Sequence, residues 1–311
     1  AAVYEGRFDR QVRDSGAVLV GAAVGATGDP EWFTNHGSRV NVHGWGSLVV
    51  TTGYGNLQGG GEDQWYTSSF AGTSSATPVV AGSAAALQGA HKAATARVLA
   101  PELLREILAA TGTPQAPSPK HVGPRPNLGA AIPVLSRLAT LNGVVTSTSQ
   151  GAALEPVDGA RVSIDENGIG GTTGPGGAYS FELLGGGFTA TAAAFGFAPA
   201  SQPFTVVPGG TRTLDFALAR TPAGSLAGTV VEVAGPPLAG VQVRVLDTPL
   251  TPAITGFLGS YAFPSIPVGG YTVVADVGGY GPGFENVVIA ANQTVTRDFQ
   301  LVPAETFEAS G

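Results

Sequence analysis

The sequence contains no cysteine and no methionine, and only 12% of its 311 residues are charged. Without cysteine, neither disulfide bonds nor thiolate metal sites can form, and the redox compartment cannot be inferred. Ordinary domains contain roughly 25% charged residues, so this surface must be built from Gly, Ser, Thr, Asn and Gln instead. The composition therefore argues against charged, helix-rich architectures such as coiled coils.

Methionine is missing even at position 1, which suggests that the chain begins within a longer or processed polypeptide. Long apolar runs are also missing. The longest near the start, from Ala17 to Val24, falls far short of the ~20 residues that a spanning helix needs. It follows Arg13 and Asp14 and makes a poor signal peptide. We therefore expect an export signal upstream and an extracellular or cell-surface location.

Basic residues are too few to indicate nucleic-acid binding. Residues 1–140 carry 10 Lys and Arg against 9 Asp and Glu, and residues 141–311 carry 5 against 13. Phosphate recognition requires a basic surface, which neither half provides. The 47 Gly and 23 Pro stay below the share typical of disordered chains, so the protein should fold into two or three domains.

An internal repeat begins at about Leu141. Four segments recur in the same order at nearly constant spacing. They are Leu141-Asn-Gly-Val-Val with Leu226-Ala-Gly-Thr-Val, Val157-Asp-Gly-Ala-Arg-Val with Leu238-Ala-Gly-Val-Gln-Val, Tyr179-Ser-Phe with Tyr261-Ala-Phe, and Asp215-Phe-Ala-Leu with Asp298-Phe-Gln-Leu. Short alternating segments separated by Gly and Pro predict two antiparallel β-sandwiches, at residues 139–220 and 224–303.

Residues 1–137 have a different pattern, in which strands and helices mix. The apolar runs at 17–23 and 47–52 are typical of strands that are buried on both faces of a sheet. Residues 75–87 are apolar or small all round, which predicts a buried helix. A second helix should begin at Pro101 and stop before Gly112. This region is predicted to be an α/β domain with a parallel sheet and buried helices.

The segment Phe70-Ala-Gly-Thr-Ser-Ser-Ala-Thr-Pro-Val-Val-Ala-Gly82 carries the most chemical information. It resembles the nucleophile motif of the subtilisin-like serine proteases, in which Gly-Thr-Ser precedes a small residue, Pro and a Val-Ala-Gly helix. The resemblance implies that Ser74 is the catalytic nucleophile. Independently, Ser74 would lie at a helix N-terminus, where free backbone N–H groups and the helix dipole favour a developing oxyanion.

Gly-Thr-Ser-Ser at a helix start is also typical of a plain N-cap, in which the serine has no catalytic role. The flanking segments favour the protease. Residues 33–46 are similar to the family's stretch through a Val-Asp-Val strand to a Pro-Gly turn, with Asn41 for the usual Asp and Trp45 where Pro is common. The preceding core strand and the closing segment also have counterparts, at residues 14–22 and 123–128.

The family's catalytic Asp and His and its oxyanion-hole Asn have no motif counterpart here. The family's order is Asp, His, then Ser, and only 73 residues precede Ser74. Candidate side chains before it fall in segments whose family counterparts are not catalytic: Asp9, Asp14, Asp29, Asp63, His36 and His43. We interpret both histidines as loop or surface residues. The resemblance therefore implies the C-terminal part of a catalytic domain, at residues 1–137, which should be inactive by itself.

The two repeats resemble the carboxypeptidase regulatory-like, or prealbumin-like, sandwiches that are appended to secreted enzymes and surface proteins. The matching segments are Gly177-Ala-Tyr-Ser-Phe with Gly259-Ser-Tyr-Ala-Phe, and Gly187-Phe-Thr-Ala with Gly270-Tyr-Thr-Val. Related calcium-carrying repeats often have Thr-Asp before the Tyr turn. Here Gly174 and Gly256 follow the threonines and offer no carboxylate, so we expect no calcium site.

Other cofactor and metal motifs receive no support from the sequence. Gly53-Tyr-Gly-Asn-Leu-Gln has Gln58 where a dinucleotide fingerprint needs Gly. The segment Gly59-Gly-Gly-Glu-Asp63 is better interpreted as exposed linker than as a substrate-side loop. The histidines at 36, 43, 91 and 121 lack metalloprotease spacing. We predict neither a cofactor nor a metal.

These features predict a multidomain, exported serine endopeptidase, represented by part of an α/β subtilisin-like domain and two all-β antiparallel sandwiches. Its partner would be a protein or peptide substrate, without nucleic acid or a membrane span, and any surface or matrix ligand of the repeats stays unidentified. The alternative is a noncatalytic surface or adhesion protein whose sandwiches are the functional part. Asp-Gly, His-Gly-Thr-like and Gly-Asn motifs upstream, in that order, would favour the enzyme.

Overall fold

The computed structural model describes residues 14–148 and 154–304. Its first part, which we call the N-terminal segment (residues 14–137), contains the helices and four short strands. The helices are α1 (Thr73–Thr95), α2 (Pro101–Ala110) and α3 (Leu128–Val134). The strands are β1 (Val20–Ala23), β2 (Val42–Trp45), β3 (Val49–Thr52) and β4 (Tyr66–Phe70).

The remaining strands form the two repeats. The first repeat contains β5 (Ala139–Thr148), β6 (Glu155–Pro156), β7 (Arg161–Ile164), β8 (Gly170–Thr172), β9 (Ala178–Leu183), β10 (Gly186–Ala193), β11 (Ala200–Val206), β12 (Thr211–Thr213) and β13 (Phe216–Ala219). The second contains β14 (Ala223–Glu232), β15 (Gln242–Val245), β16 (Ala253–Ile254), β17 (Ser260–Pro267), β18 (Gly269–Asp276), β19 (Gly283–Ile289), β20 (Thr294–Thr296) and β21 (Phe299–Leu301).

By its contacts the chain divides into two compact units. One consists of Ala1–Val144, Arg161–Thr191 and Ser201–Phe216, and the other of Val145–Ala160, Ala192–Ala200 and Ala217–Gly311. The first unit thus combines the N-terminal segment with part of the first repeat. The predicted domain boundaries at 1–137, 139–220 and 224–303 stay predictions.

The parallel sheet of the N-terminal segment is the pair β1 and β2, in which Val20 lies opposite Val42 and Ala23 opposite Trp45. Strands β3 and β4 instead form an antiparallel hairpin. The expectation that the run at 47–52 is buried on both faces of a sheet is wrong. Val50 is 64% exposed, because β3 belongs to a two-stranded sheet that is covered on one face.

Helix α1 follows Gly72, whose φ of 110° suits glycine because it has no side chain to clash. The helix contacts β1, β2, α2 and α3. Its buried residues are Ser75, Ala76, Val80, Leu87 and His91. The prediction of a helix buried all round is wrong, since Val79 is 42% exposed. Small residues permit close packing on every side, but the described residues cover one face.

Helix α2 begins at Pro101, as the sequence predicts, because the missing proline N–H has no intrahelical partner at that position. Its buried Arg105 forms a two-pronged ion pair with Asp14, with N···O distances of 2.7 and 2.5 Å. Bidentate ion pairs such as Arg105 with Asp14 fix orientation as well as distance. Helix α3 is capped by Asn127, whose side chain accepts a hydrogen bond from the N–H of Ala130.

The two repeats share one topology. In the first, β12, β5 and β13 form one sheet, to which β6 and β9 add through β5, and the second sheet has the order β11-β10-β7-β8. The second repeat has β17-β14-β20 with β21 beside β14, and β16-β15-β18-β19. Both are β-sandwiches, as predicted. The pairing is mixed, because β12 runs parallel to β5, and β20 and β21 run parallel to β14.

The recurring residues of the repeats hold the same positions in both. Tyr179 donates a hydrogen bond to the carbonyl of Leu214, and Tyr261 donates one to the carbonyl of Arg297. Asp215 accepts from the N–H of Val144. In the second repeat, Asp298 accepts from the N–H and the hydroxyl of Thr229. The repeated tyrosine and aspartate side chains therefore pair with backbone carbonyl and N–H groups that lack a backbone partner. These groups lie where the central strand, β5 or β14, changes its neighbouring strand.

Within the first unit, helix residues contact residues of the first repeat. The Nδ2 of Asn167 donates to Glu106 Oε2 at 3.0 Å. His91 Nε2 lies 3.2 Å from Glu182 Oε2, and Arg97 lies 3.9 Å from the other oxygen of that carboxylate. These polar contacts join α1 and α2 to the repeat, so the helices and this part of the first repeat are not independent of each other in the described part of the first unit.

Burial raises the pKa of Glu106 above its ordinary value. A raised pKa means that the folded state binds the proton more tightly, so the stabilisation is present at low pH and is lost as pH rises through the folded-state pKa. We expect Glu106→Gln, whose amide oxygen can still accept from Asn167, to flatten this loss. Thermal unfolding between about pH 4 and about pH 7 measures it. An unchanged slope in Glu106→Gln would contradict the prediction.

Candidate functional site

The turn before α1 is fixed to the end of the parallel sheet. Strand β4 ends at Phe70, and the N–H of Gly72 donates to the carbonyl of Gly46 at 2.8 Å. Gly46 follows directly on β2. The start of α1 therefore lies at the carboxyl end of β2, the edge at which open parallel sheets bind their ligands.

Ser75 and Ala76, which follow the turn, pack the first turn of α1 against β2. The hydroxyl of Ser75 donates to the carbonyls of Trp45, at 2.9 Å, and Gly72, at 2.8 Å. Ala76 rests directly on Gly44, where any β-carbon would overlap the Ala76 carbonyl oxygen. The helix start is thus held by backbone contact that only glycine permits at position 44.

Ser74 lies in the first turn of α1, with an exposed side chain. Gly72 occupies the N-cap position and makes no side-chain cap, so Ser74 is not the N-cap of this helix. Its N–H belongs to the first turn. The N–H groups of Ser75 and Ala76 donate to the carbonyl of Gly72 at 3.1 and 3.4 Å, and the Ser74 N–H comes too early in the helix for a regular acceptor. In the part of the chain that the structure describes, the Ser74 hydroxyl has no hydrogen-bond partner.

His43 lies on β2 but on the face opposite to Ser74. Adjacent strand residues point to opposite faces, and Gly44 faces α1. His43 Nδ1 lies 2.7 Å from the carbonyl of Gly123. Burial lowers the pKa of His43, which favours the neutral ring. The expectation of a loop or surface position is therefore wrong for His43. The alternating Val-Asn-Val-His pattern, which is typical of a strand, is the signal in the sequence that could have indicated its position.

The other candidates are dispersed. His36 and His121 are exposed, and His91 is buried beside Glu182. Asp14 pairs with Arg105, Asp29 and Asp63 are exposed, and Asp9 lies outside the described residues. Across residues 14–148 and 154–304, no histidine or aspartate side chain is hydrogen-bonded to Ser74. The structure thus places a candidate nucleophile and one N–H donor, without a general base beside them in these ranges.

Metal ligands are not clustered in the described ranges, where no group of three or more His, Cys, Asp or Glu side chains could hold an ion. The threonine that precedes Gly256 has a structural role. Thr255 is buried, accepts from the N–H of Val241 at 2.9 Å and donates to the carbonyl of Leu238 at 2.6 Å. Its hydroxyl oxygen is therefore engaged in tying the turn to the sandwich.

We expect millimolar calcium to leave the melting temperature of the protein unchanged. A ligand that binds only the folded state must raise the melting temperature, and Gly174 and Gly256 supply no carboxylate for a hard cation. Calorimetry with calcium, with magnesium and with a chelator tests this expectation. A reproducible rise with calcium alone would reveal a site that these residues do not explain.

Among the described residues, no helix combines the length and the apolarity that a membrane crossing demands.

Family comparisons match three stretches of the chain. The sequence model of the subtilase family matches residues 12–129. The carboxypeptidase regulatory-like domain matches twice, at residues 140–219 and 225–302, which together make up just over half of the chain. None of the curated proteins searched matches the chain.

Several solved structures are similar to parts of the chain. The TIE protein of Bacillus anthracis is 18% identical, with 54% of this chain and 34% of that chain covered and a TM-score of 0.27. The minor pilin GBS52 of Streptococcus agalactiae is 15% identical, covers 56% and 99%, and has a TM-score of 0.34. Fervidolysin of Fervidobacterium pennivorans, a keratinolytic enzyme related to subtilisin, is 17% identical, covers 89% and 50%, and has a TM-score of 0.37.

The chain thus spans about a third of the TIE protein and half of fervidolysin. The subtilase match contains the parallel pair, α1 and α2, and ends at the start of α3, and each regulatory-like match contains one sandwich. Both resemblances recognised in the sequence are confirmed. The chain consists of a segment that matches the subtilase family, followed by two carboxypeptidase regulatory-like domains.

Proposed function

We propose that the protein is a serine endopeptidase of the subtilase class and that Ser74 is its nucleophile. The observation that carries this proposal is the position of the Ser74 hydroxyl. It is exposed in the first turn of α1, at the carboxyl end of β2, inside the segment that matches the family. The bonds from Gly72 to Gly46 and from Ser75 to Trp45 support it, because they hold that turn in place.

In the proposed reaction the Ser74 oxygen attacks the carbonyl carbon of the scissile peptide bond while a base removes its proton. The carbonyl oxygen takes up the electron pair, and the Ser74 N–H donates to this oxyanion. The C–N bond then breaks, the amine leaves with the proton, and an acyl-enzyme remains. Water hydrolyses the acyl-enzyme by the same steps and restores the serine.

The remaining machinery would come from a chain that extends further upstream. A histidine base, its orienting aspartate and an asparagine oxyanion donor are the family's roles that no residue of this sequence matches. A serine hydroxyl without a base is a weak nucleophile. We therefore propose that the 311-residue chain alone does not hydrolyse peptides, and that the protein acts outside the cell on protein substrates.

Labelling with a serine-directed phosphonate tests the assignment. A longer chain that includes the upstream segment should react at Ser74, as identified by mass spectrometry of the labelled peptide. The 311-residue chain should stay unlabelled, because phosphonates require an activated serine. Labelling of another serine would show that the nucleophile assignment is wrong.

A second candidate function is a noncatalytic surface or adhesion protein. The observation that favours it is the extent of the two regulatory-like domains, which make up more of the chain than the subtilase segment does. In that case the N-terminal segment would serve as a scaffold. An upstream sequence without Asp-Gly, His-Gly-Thr-like and Gly-Asn motifs would favour this function over proteolysis.

A further inference from the structure

The end strand of one sheet in the second repeat is an open edge. That sheet has the order β16-β15-β18-β19, and among the described strands β19 pairs with β18 alone. The carbonyl of Thr272, which lies opposite Asn286, accepts from the N–H of Leu246 and therefore faces the β15 side. In an antiparallel ladder, two opposite residues that do not bond each other both face outward. The N–H and C=O groups of Phe284, Asn286 and Val288 thus point away from the sheet.

The corresponding strand of the first repeat is protected against pairing. Strand β11 also ends its sheet, and β11 and β19 have seven residues each with the same order of buried and exposed positions. Their fourth residues are Pro203 and Asn286. Proline lies within sheets only where its missing N–H would face solvent, and it hinders the addition of a further strand. The proline therefore supports the outward direction of the Asn286 N–H, and β19 lacks this protection.

The side chains beside these backbone groups differ in the same sense. The second and sixth residues are Ser201 and Thr205 in β11 but Phe284 and Val288 in β19. Phe284 is 61% exposed and Val288 is 74% exposed. Both lie with Asn286 on one face of the sheet, because alternate residues of a strand share a face. The open edge of β19 is thus bordered by apolar side chains, whereas the edge of β11 is bordered by hydroxyl groups.

Strand β19 is complementary to itself when two copies run antiparallel. Asn286 is the middle residue of the strand, so a twofold axis at Asn286 pairs the full strand with its copy. Phe284 then lies opposite Val288 of the second copy, on both sides of the axis. Pairs of an aromatic with a β-branched residue are favourable across strands. The outward-facing residues meet as hydrogen-bonded pairs, in which each pair exchanges both of its N–H···O bonds.

The polar residues of β19 fit the same register. The Thr272 hydroxyl donates to Asn286 Oδ1 at 3.0 Å, which leaves the Asn286 amide nitrogen to donate across the axis. An axis at Glu285 would set two carboxylates directly opposite each other, which is destabilising. The axis at Asn286 instead sets Glu285 opposite Val287. Glu285 is the strand's one charged residue, and its carboxylate lies 3.9 Å from Arg297 of its own chain.

We propose that β19 is an interface between two copies of this chain, which pair antiparallel about a twofold axis at Asn286. The pairing joins the four-stranded sheet of each copy into one continuous sheet. Because both copies use the same strand, the contact closes with two chains and does not extend into a filament. A single strand pair is small beside the ~1,600 Å² of a standard interface, so the dissociation constant should lie near 10–100 µM, roughly. The pairing does not depend on the reactivity of Ser74.

Sedimentation velocity of the 311-residue chain over roughly 1–200 µM tests the proposal, and the mass should rise from one chain towards two. Asn286→Pro should raise the dissociation constant at least about tenfold, because it removes the N–H groups at the axis. The variant should melt as the wild type does, since that N–H makes no bond to β18 and the first repeat has proline at this position.

A second variant and a matched control separate edge pairing from general stickiness. Phe284→Ser combined with Val288→Thr gives β19 the residues of β11 and should weaken association similarly. Phe257→Ser removes an aromatic side chain that is 96% exposed but lies before β17, away from this edge. It should leave association unchanged. A wild-type chain that stays monomeric, or undiminished association of the folded Asn286→Pro chain, would overturn the proposal.

Cross-linking tests the register of the pair. The sequence has no cysteine, so Asn286→Cys introduces a unique thiol. Two such thiols would face each other across the axis, and a short bismaleimide should link the chains into a covalent dimer. Ser201→Cys, on the protected edge of β11, is the matched control and should stay unlinked. Equal linking of both variants, or linking of Ser201→Cys alone, would show that the chains do not meet through β19.

Discussion

Ser74→Ala, made in a chain that includes the upstream segment, should lower the rate of peptide hydrolysis by about 10⁶-fold, the size of effect measured when subtilisin itself loses its nucleophile. The acyl-enzyme route disappears with the hydroxyl. Any residual rate would come from substrate positioning and the oxyanion donors, which alone give about 10³–10⁴ over water. Hydrolysis of a chromogenic peptide at saturating substrate measures the loss in kcat.

The matched control for this prediction is Ser83→Ala on the same helix. The Ser83 hydroxyl donates to the carbonyl of Val79 at 3.0 Å, a contact within α1 and nine residues after Ser74. Removing it should leave kcat unchanged. Full activity of Ser74→Ala would show that another residue is the nucleophile, and an equal loss in both variants would indicate damage to α1 rather than to the chemistry.

The elements that the sequence predicted are those specified by local signals. Pro101 predicts the start of α2, and the Gly-Thr-Ser segment predicts the start of α1. The repeated Leu-x-Gly, Tyr and Asp positions predict two equivalent sandwiches, because each residue acts within its own repeat. Patterns of this kind can be recognised in a single sequence because the contacts that cause them involve residues of the same element or the same repeat.

The remaining features depend on partners that are distant in sequence. The ion pair of Arg105 with Asp14 joins residues 91 positions apart, and no local sequence pattern predicts it. The sequence predicts a surface position for His43, but the carbonyl of Gly123 contacts its ring from another segment. Exposure of Val50 and Val79 likewise depends on how many elements cover a strand or helix. Periodicity identifies an apolar element without stating which of its faces is covered.

The candidate site could be predicted in part for the same reason. Ser74 follows from a contiguous motif, whereas its surroundings are built from Gly44, Trp45 and Gly46, which lie far upstream. Geometry was also needed to show that Gly72, and not Ser74, holds the N-cap position of α1.

The largest loss of stability is expected from Gly228→Ala in the second repeat. A β-carbon at position 228 would overlap the carbonyl oxygen of Arg297 and lie 2.9 Å from a ring carbon of Tyr261. Neither neighbour can move freely. The Tyr261 hydroxyl donates to that carbonyl at 2.6 Å, and the Arg297 N–H donates to the carbonyl of Ala227 at 2.9 Å. Burial raises the pKa of Tyr261, so its hydroxyl keeps its proton and stays a donor.

Overpacking of this kind costs about 1–3 kcal/mol, and loss of the tyrosine hydrogen bond adds about 1 kcal/mol. We therefore expect Gly228→Ala to destabilise the second repeat by roughly 3 kcal/mol, with Gly143→Ala acting likewise on the first repeat, where Leu214 and Tyr179 occupy the same positions. Hydrogen exchange followed by mass spectrometry assigns the loss of protection to individual segments. Gly270→Ala is the matched control, because its added carbon meets no atom within 4 Å. Equal protection in Gly228→Ala and Gly270→Ala would show that the close approach is not what fixes this glycine.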